Sequence, residues 1–365
     1  MPISKIYIDQ AVSDSPVVKK ITSCLSIPFE TVPNSQHIYQ IVSDQADPVS
    51  AGKQVLFLTE NKGPFIRKCP GTHNYTCCDY QILHIGTFCT MDCSYCILQA
   101  YFHPPVLQYF VNHDALKTEL RELFEKETIS RIGTGEFTDS LIWEVWTDTS
   151  EMLVPMFAAQ ERAVLELKTK TTHVAKMGSF DHKRKTILSW SLNTPAIIRS
   201  EERKTSSLQA RLSAARTCEQ MGYPLAFHFD PVFIYEGCES DYQKVVKDLF
   251  DAVSKENITY ISIGSFRYMP SIYHIIERRF PQSRILYGEF VTGLDGKMRY
   301  FKPLRMRIYK VIIDAIRKFA PDVLVYFCME DDEVWNTCMG FLPTSFGGLG
   351  HMLDRRVQKI CHLKS

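Results

Sequence analysis

The sequence predicts an α/β protein in which a partial (β/α)6 barrel follows a small N-terminal α/β lobe. The main observation is a regular alternation of strand and helix patterns that begins near residue 80. Strand composition occurs at 80–85, 130–135, 163–170, 186–193, 225–233 and 258–264. Helical patterns follow at 114–127, 149–159, 202–221, 241–255 and 270–280. Repeated βα units form parallel sheets with right-handed crossovers, so the carboxyl ends of the strands converge on one face, where ligands bind.

The second observation concerns the segment before this alternation. "KIYI" (5–8) and "QVLFL" (54–58) have strand composition, and 13–25 is typical of a short capped helix between them. We therefore expect three parts: a lobe at 1–79, the barrel at 80–335, and a C-terminal segment at 336–365 that packs on the barrel or extends from it.

The composition of the chain limits which kinds of function are expected. The chain has 365 residues with 42 basic and 41 acidic side chains, so no long-range field draws the whole molecule to nucleic acid or membrane. No apolar run reaches the length of a membrane span and the start lacks a signal-peptide pattern, so we expect a cytoplasmic protein with no membrane partner. Twelve cysteines then indicate metal ligands, buried thiols or a redox group rather than a disulfide framework.

Three of these cysteines, Cys89, Cys93 and Cys96, lie within "FCTMDCSYCILQ" (88–99). A structural zinc site needs four ligands, and no fourth follows at short spacing except His103, which lies in a stiff proline loop. A ferredoxin cysteine run is also absent. The CxxxCxxC spacing matches the radical S-adenosylmethionine superfamily. There, three thiolates hold a 4Fe-4S cluster and the fourth iron binds S-adenosyl-L-methionine, which is cleaved to a 5′-deoxyadenosyl radical.

Cofactor-binding candidates follow the cysteines along the chain. Tyr95 lies where many of these enzymes carry an aromatic residue against the adenine, although a half-buried loop aromatic is the simpler interpretation. In "RIGTGEFTDS" (131–140), Gly135 lets the backbone approach a ligand and Glu136 can accept a hydrogen bond from the methionyl ammonium.

Later strand ends add polar candidates. Lys168 and Lys170 could meet the methionyl carboxylate, although lysines at strand ends are commonly only solvated. Ser191 and Asn193 in "SWSLN" are predicted to hydrogen-bond the ribose or the carboxylate, and capping of the next turn is an equally simple role for Asn193.

The order of "CSYCILQ", "KTK", "SWSLN", "GYPLAFHFDPVFIYEG" and "SFRY" resembles that of the spore photoproduct lyases over residues 1–335. The resemblance implies a partial barrel, a 4Fe-4S cluster, S-adenosylmethionine and a reductant such as flavodoxin or ferredoxin. In the type enzymes it implies reversal of a methylene-bridged thymine dimer, with DNA as the partner. A cysteine then returns a hydrogen atom, assisted by a tyrosine that follows the third cluster cysteine.

The sequence departs from this pattern at two positions. In an ungapped comparison the donor cysteine falls on Glu136 and the relay tyrosine on Ile97. This argues against the thymine-dimer reaction by the same route. Three hypotheses therefore stand: a lyase of this type, a radical enzyme acting on an RNA base, peptide or metabolite, and a non-enzymatic iron-sulfur or zinc protein.

Further cysteines flank the motif in sequence. Cys69, Cys77 and Cys78 precede it, and Cys328 and Cys338 follow the last strand. One interpretation is a second metal centre formed by Cys69, Cys77, Cys78 and Cys328. Another is a substitute thiol donor, and the third is a set of buried free thiols.

The remaining catalytic candidates lie on later strands. His228 and Asp230 are two residues apart, so they point the same way and could form an acid and base pair, although a histidine bonded to a carboxylate inside the barrel is equally expected. Arg267 suits a phosphate or carboxylate. The catalytic residue stays open among Cys77, Cys78, Cys328, His228 and Asp230. Basic clusters at 182–185, 299–310 and 354–359 could face nucleic acid, but the middle one also fits an amphipathic helix.

Overall fold

A curled, mainly parallel sheet organises the larger part of the chain. The computed structural model describes residues 3–71 and 74–364. All six predicted strands are present in parallel order, a seventh parallel strand extends one edge, and one antiparallel strand covers the other. Across the sheet they are β18 (Leu324–Phe327), β14 (Ile258–Ser265), β13 (Leu225–Val232), β11 (Thr186–Ser191), β10 (Ala163–Thr169), β9 (Ser130–Gly133), β5 (Gln81–Leu83) and β4 (Ile66–Lys68).

A second sheet forms the N-terminal lobe. Its order is β2 (Phe29–Val32), β1 (Lys5–Asp9), β3 (Val55–Thr59), β8 (Leu107–Phe110) and β6 (Gly86–Thr87). The last two strands come after residue 79, so the predicted boundary does not coincide with the end of this sheet. The cysteine motif at 89–96 therefore lies in the chain between two strands of the lobe sheet.

Two smaller sheets lie beside the carboxyl ends of the barrel strands. One pairs β7 (Asp92–Cys93) with β12 (Glu202–Arg203), which fixes the cysteine loop to the chain after β11. The other contains β15 (Arg267–Tyr268), β17 (Met298–Tyr300) and β16 (Phe290–Thr292).

Helices cover the outer faces of the sheets. The helices are α1 (Pro16–Leu25), α2 (Ser35–Ser43), α3 (Pro48–Gly52), α4 (Leu98–Tyr101), α5 (His113–Phe124), α6 (Thr149–Ala158), α7 (Pro195–Glu201), α8 (Leu208–Gln220), α9 (Cys238–Ala252), α10 (Tyr273–Arg279), α11 (Lys302–Phe319), α12 (Asp332–Met339) and α13 (Leu349–Cys361). The amphipathic pattern after 299 is confirmed as a helix, since Ile308 and Ile312 of α11 are buried.

The C-terminal segment packs on the barrel, at the end opposite the strand carboxyl termini. Arg356 of α13 donates hydrogen bonds to the carbonyls of Thr259 and Ile258, both at 2.8 Å, and Asp354 pairs with Arg131 at 2.7 Å. Arg184 likewise donates to the carbonyl of Ile360 at 2.9 Å. Members of the basic clusters at 182–185 and 354–359 thus hold the fold together.

The barrel strands are continuous apolar runs, which are stable when buried on both faces of a sheet. Every residue of β14 is buried, as expected for a parallel strand covered on both faces. Among the described helices, none is long and apolar enough to cross a lipid bilayer.

Candidate active site

A cavity of about 600 Å³ opens at the carboxyl ends of the barrel strands, within the size range of small-molecule sites. It brings together most of the residues that the sequence singled out. Those lining it are Cys89, Cys93, Tyr95, Cys96, Gly135, Glu136, Lys168, Lys170, Ser191, Asp230 and Arg267.

Buried polar contacts hold the cysteine loop in place. The side-chain amide of Gln99 donates to the carbonyls of Cys93, Ser94 and Cys96 at 3.0–3.3 Å. Asp92 accepts from Lys53 at 2.7 Å and from Arg279 at 3.1 Å. Because Lys53 belongs to the lobe and Arg279 to α10, this carboxylate joins three parts of the chain. No sequence pattern identifies Lys53 or Arg279, because both are far from the motif in the chain, and the signal at Gln99 is only a polar side chain within the motif.

Tyr95 is fixed at both ends of its side chain. Its hydroxyl donates to Glu202, which pairs with Arg211 at 2.6 Å in a fully buried contact. The Tyr95 ring lies 5.3 Å from that of Phe233, and the Lys170 ammonium lies 5.9 Å from the Tyr95 ring centroid. An aromatic face and a cation thus line the same part of the cavity.

The Gly-Glu pair lies against the end of β10. A Cβ at Gly135 would come within 2.9 Å of the Lys168 Cβ, so only glycine allows this approach. Glu136 pairs with the Lys168 ammonium. Burial opposes the charge on Lys168, but Glu136 and Glu166 outweigh it and raise the pKa of the lysine. Glu136 thus contacts an ammonium group of the chain itself, and its predicted contact with the methionyl ammonium stays a prediction.

Besides the cysteines described below, two predicted binding or catalytic groups, Asn193 and His228, lie outside the cavity lining. Asn193 is buried and its side-chain amide bonds to other parts of the chain. It donates to the carbonyl of Pro231 at 2.9 Å and accepts from the hydroxyl of Tyr242 at 2.8 Å. His228 lies inside the barrel, where its ring nitrogens contact Glu166 and Ser262, each at 2.7 Å.

The pairing of His228 with Asp230 is therefore wrong. Asp230 lines the cavity instead and pairs with Arg267 at 3.1 Å, whereas the ring of His228 is bonded to Glu166 and Ser262. The alternative of a histidine bonded to a carboxylate inside the barrel is the arrangement found.

The additional cysteines gather at a second, small cavity of about 30 Å³. Cys69, Cys77, Cys78 and Cys328 all line it, and Cys69 also lines the large cavity. Cys338 contacts the carbonyl of Met306 at 3.6 Å and lines neither. Within the described residues no three or more His, Cys, Asp or Glu side chains, those of the cysteine motif included, lie close enough to hold a single metal ion, so a second metal centre at the small cavity is not shown.

The small-cavity thiols differ in protonation. A hydrogen bond from Cys78, which outweighs burial, lowers the pKa of Cys77 to about 6, and the backbone N–H of Asp79 lies 3.4 Å from the Cys77 sulfur. The pKa of Cys78 is raised correspondingly, by this hydrogen bond and by burial. Burial raises the pKa of Cys328 to about 11, and Arg267 lies 3.4 Å from its sulfur.

The residues that are present fit an iron-sulfur cluster with S-adenosylmethionine beside it. Three cysteines on one loop line the cavity, and the N–H of Met91 lies 3.4 Å from the Cys89 sulfur, a contact of the kind that stabilises cluster thiolates. The same cavity continues past Tyr95 to the Glu136 and Lys168 pair, which offers complementary charges to an amino acid group. Cys89, Cys93 and Cys96 would hold the cluster.

Comparison with known proteins agrees with this geometry. The sequence model of the family "Spore photoproduct lyase" matches residues 72–313. The spore photoproduct lyase of Clostridium acetobutylicum is 25% identical over 262 residues, which are 71% of this chain and 74% of that protein. The Bacillus subtilis protein of the same name is 26% identical over 233 residues, or 62% of this chain and 66% of its own length.

Solved structures show the same fold. A spore photoproduct lyase complexed with dinucleoside spore photoproduct superposes with a TM-score of 0.79 at 20% identity, covering 90% of this chain and 99% of that one. A double mutant of the enzyme with bound AdoMet and dinucleoside spore photoproduct gives 0.79 at 21% identity, with 90% and 98% covered. With two thirds of its length matched by the family, this chain belongs to the spore photoproduct lyases, a family of radical S-adenosylmethionine enzymes.

Proposed function

We propose that this chain is a radical S-adenosylmethionine lyase that opens a methylene-bridged thymine dimer in DNA. The observation that carries the proposal is the large cavity at the carboxyl ends of the barrel strands. It joins the cysteine loop, the Glu136 and Lys168 pair, and the segment after β14 that contains Arg267. A cofactor and a substrate can therefore bind next to each other in one continuous cavity.

A 4Fe-4S cluster held by Cys89, Cys93 and Cys96 would supply the one-electron chemistry that cleaves S-adenosylmethionine and starts hydrogen abstraction from the substrate. Glu136 accepts the methionyl ammonium in exchange for Lys168, which becomes available to the methionyl carboxylate. The Tyr95 ring, fixed through Glu202, supports the adenine. A low-potential reductant such as flavodoxin or ferredoxin provides the electron.

The substrate part of the cavity is aromatic and basic. Phe266, Tyr268 and Met269 line it beside Arg267 and Lys297. Aromatic rings suit stacked thymines, and cationic groups suit the phosphate that joins them. Asp230 offsets part of this charge, so affinity for a dinucleotide is expected to be moderate and to fall with salt.

The test is anaerobic reconstitution with iron and sulfide, followed by incubation with S-adenosylmethionine, dithionite and dinucleoside spore photoproduct. The proposal predicts release of 5′-deoxyadenosine together with repaired thymidine dinucleoside. The Cys93→Ala variant is the control and should give neither product. A protein that binds one zinc ion tightly and produces no 5′-deoxyadenosine would contradict the proposal.

One observation favours a second candidate, a radical enzyme with another substrate such as a modified RNA base, a peptide or a metabolite. Ile97 lines the cavity where the related lyases carry a relay tyrosine, and Glu136 stands at their donor position. For this candidate, 5′-deoxyadenosine forms while the dinucleoside stays intact.

A further inference from the structure

Repair of a bridged dimer needs a hydrogen atom at the end of the reaction. When the bond between the thymines breaks, one thymine is left with a carbon-centred radical that must gain hydrogen. Glu136 cannot supply it, because a carboxylate carries no hydrogen that a carbon radical can remove. The donor must be another group that reaches the large cavity.

Cys69 is the cysteine that meets this requirement. Apart from the three cysteines of the motif, it is the cysteine among the described residues that lines the large cavity, whereas Cys77, Cys78 and Cys328 line the small cavity alone. Burial raises the pKa of Cys69 to about 12, and Glu136 is the next largest cause. The thiol therefore keeps its hydrogen at neutral pH and lies near the position of the missing donor.

Tyr80, a tyrosine with a buried hydroxyl, lies opposite Cys69 in the β4–β5 hairpin. The N–H of Cys69 donates to the carbonyl of Tyr80 at 3.0 Å, one step beyond the pairing of Lys68 with Gln81. Opposed residues of an antiparallel pair direct their side chains to the same face. The Tyr80 hydroxyl is buried and makes no hydrogen bond to the described residues.

The space for this phenol is provided by a glycine. A Cβ at Gly133 would lie 1.8 Å from the Tyr80 hydroxyl oxygen, so a larger residue on β9 would displace the ring. Burial raises the pKa of Tyr80, which keeps the phenol protonated. The phenol therefore carries its hydrogen, and that hydrogen is not committed to a hydrogen bond with the described residues.

We propose that Cys69 is the hydrogen-atom donor of this enzyme and that Tyr80 restores it, a pair that replaces the donor cysteine and relay tyrosine of the related lyases. In the first step the Cys69 S–H bond breaks, a C–H bond forms on the thymine, and a thiyl radical remains. In the second step the Tyr80 O–H hydrogen moves to the sulfur and leaves a phenoxyl radical. One electron from the low-potential reductant and one proton from water then regenerate Tyr80.

This inference rests on the proposed function and is tested by product labelling. The reconstituted enzyme is incubated with dinucleoside spore photoproduct in D₂O, where thiols carry exchangeable deuterium. For the unmodified chain, each repaired dinucleoside should contain one deuterium. Cys69→Ala and Cys69→Ser should still release 5′-deoxyadenosine, while the yield of repaired product per 5′-deoxyadenosine falls about tenfold or more and its deuterium is lost.

Tyr80→Phe separates the two steps. With enzyme in excess over substrate, its first turnover should match that of the unmodified chain and give the same deuterium content. With substrate in excess, repair should slow after about one equivalent of product. A role of Tyr80 in folding alone would lower both phases together.

Three control variants test which cysteine donates the hydrogen atom. Cys24→Ala removes an exposed lobe thiol and should change neither yield nor label. If Cys77→Ala or Cys328→Ala abolishes deuterium transfer while Cys69→Ala retains it, the assignment to Cys69 is wrong although the lyase activity stands. An unmodified chain that makes 5′-deoxyadenosine and leaves the dinucleoside intact overturns both the proposed function and this inference.

Discussion

The carboxylate of Asp92 holds the cysteine loop to the rest of the protein, and Asp92→Asn tests how much this anchor contributes. Asparagine keeps the shape and one acceptor oxygen but removes the charge that faces Lys53 at 2.7 Å and Arg279 at 3.1 Å. The Lys53 side chain is 2% exposed, so water cannot replace the lost partner.

The loss of unfolding free energy in Asp92→Asn depends on which contacts remain. Breaking a buried ion pair by removing one partner costs about 3–5 kcal/mol. Lys53 keeps its hydrogen bond to the carbonyl of Met91, and Arg279 keeps its ion pair with Asp47. Both contacts reduce the loss, and we expect Asp92→Asn to lower the free energy of unfolding by about 2–3 kcal/mol.

The assay is urea unfolding of the iron-free protein, which removes any contribution of the cluster. The matched control is Asp114→Asn, because Asp114 is fully exposed and pairs with Lys117 at 3.3 Å within one helix. That control should change the free energy of unfolding by about 0.5 kcal/mol or less. Equal values for the two variants would refute the anchoring role of Asp92.

Three further predictions address the barrel and the site. Cys89→Ala, Cys93→Ala or Cys96→Ala should prevent stable retention of iron after anaerobic reconstitution, as measured by iron analysis; full iron content in all three would exclude these ligands. Burial lowers the pKa of His84 from 6.5 to about 3, so the unfolded chain binds the proton more tightly than the folded chain. The free energy of unfolding therefore decreases as the pH drops below 6.5, and the loss reaches about 2 kcal/mol at pH 5. His84→Phe should remove this part of the pH dependence in urea unfolding from pH 7 to 5, and an unchanged slope would contradict it. Gly133→Ala should destabilise the fold by about 1–3 kcal/mol, because the added Cβ would lie 1.8 Å from the Tyr80 hydroxyl oxygen and 2.7 Å from the Glu166 carbonyl oxygen. Tyr80→Phe in the same chain removes the closer contact and should restore part of the loss; no recovery would place the strain at Glu166.

Much of the fold follows from the sequence because its parallel strands are long apolar runs. The six barrel strands were predicted in order, and β13 and β14 lie within one residue of their predicted bounds. The strand β18 and the lobe strands β6 and β8 were missed, because segments of two to four residues carry no periodic signal. Their place depends on pairing partners that are distant in sequence.

The residues of the site likewise fall into those that the sequence predicts and those that it does not. Cys89, Cys93 and Cys96 could be predicted because their spacing lies within one loop. A carboxylate contact of His228 was among the alternatives, but its partner Glu166 and the contacts of Asn193 could not be predicted, since they depend on residues brought together by folding. The position of Cys69 at the large cavity depends likewise on the hairpin that precedes the motif.

The central claim is that this chain couples radical chemistry to dimer repair. The most direct measurement quantifies 5′-deoxyadenosine and repaired thymidine dinucleoside in one anaerobic sample that contains the reconstituted enzyme, S-adenosylmethionine, dithionite and dinucleoside spore photoproduct. The account predicts that both products form and that both disappear in Cys93→Ala. Formation of 5′-deoxyadenosine with no repaired dinucleoside would contradict it.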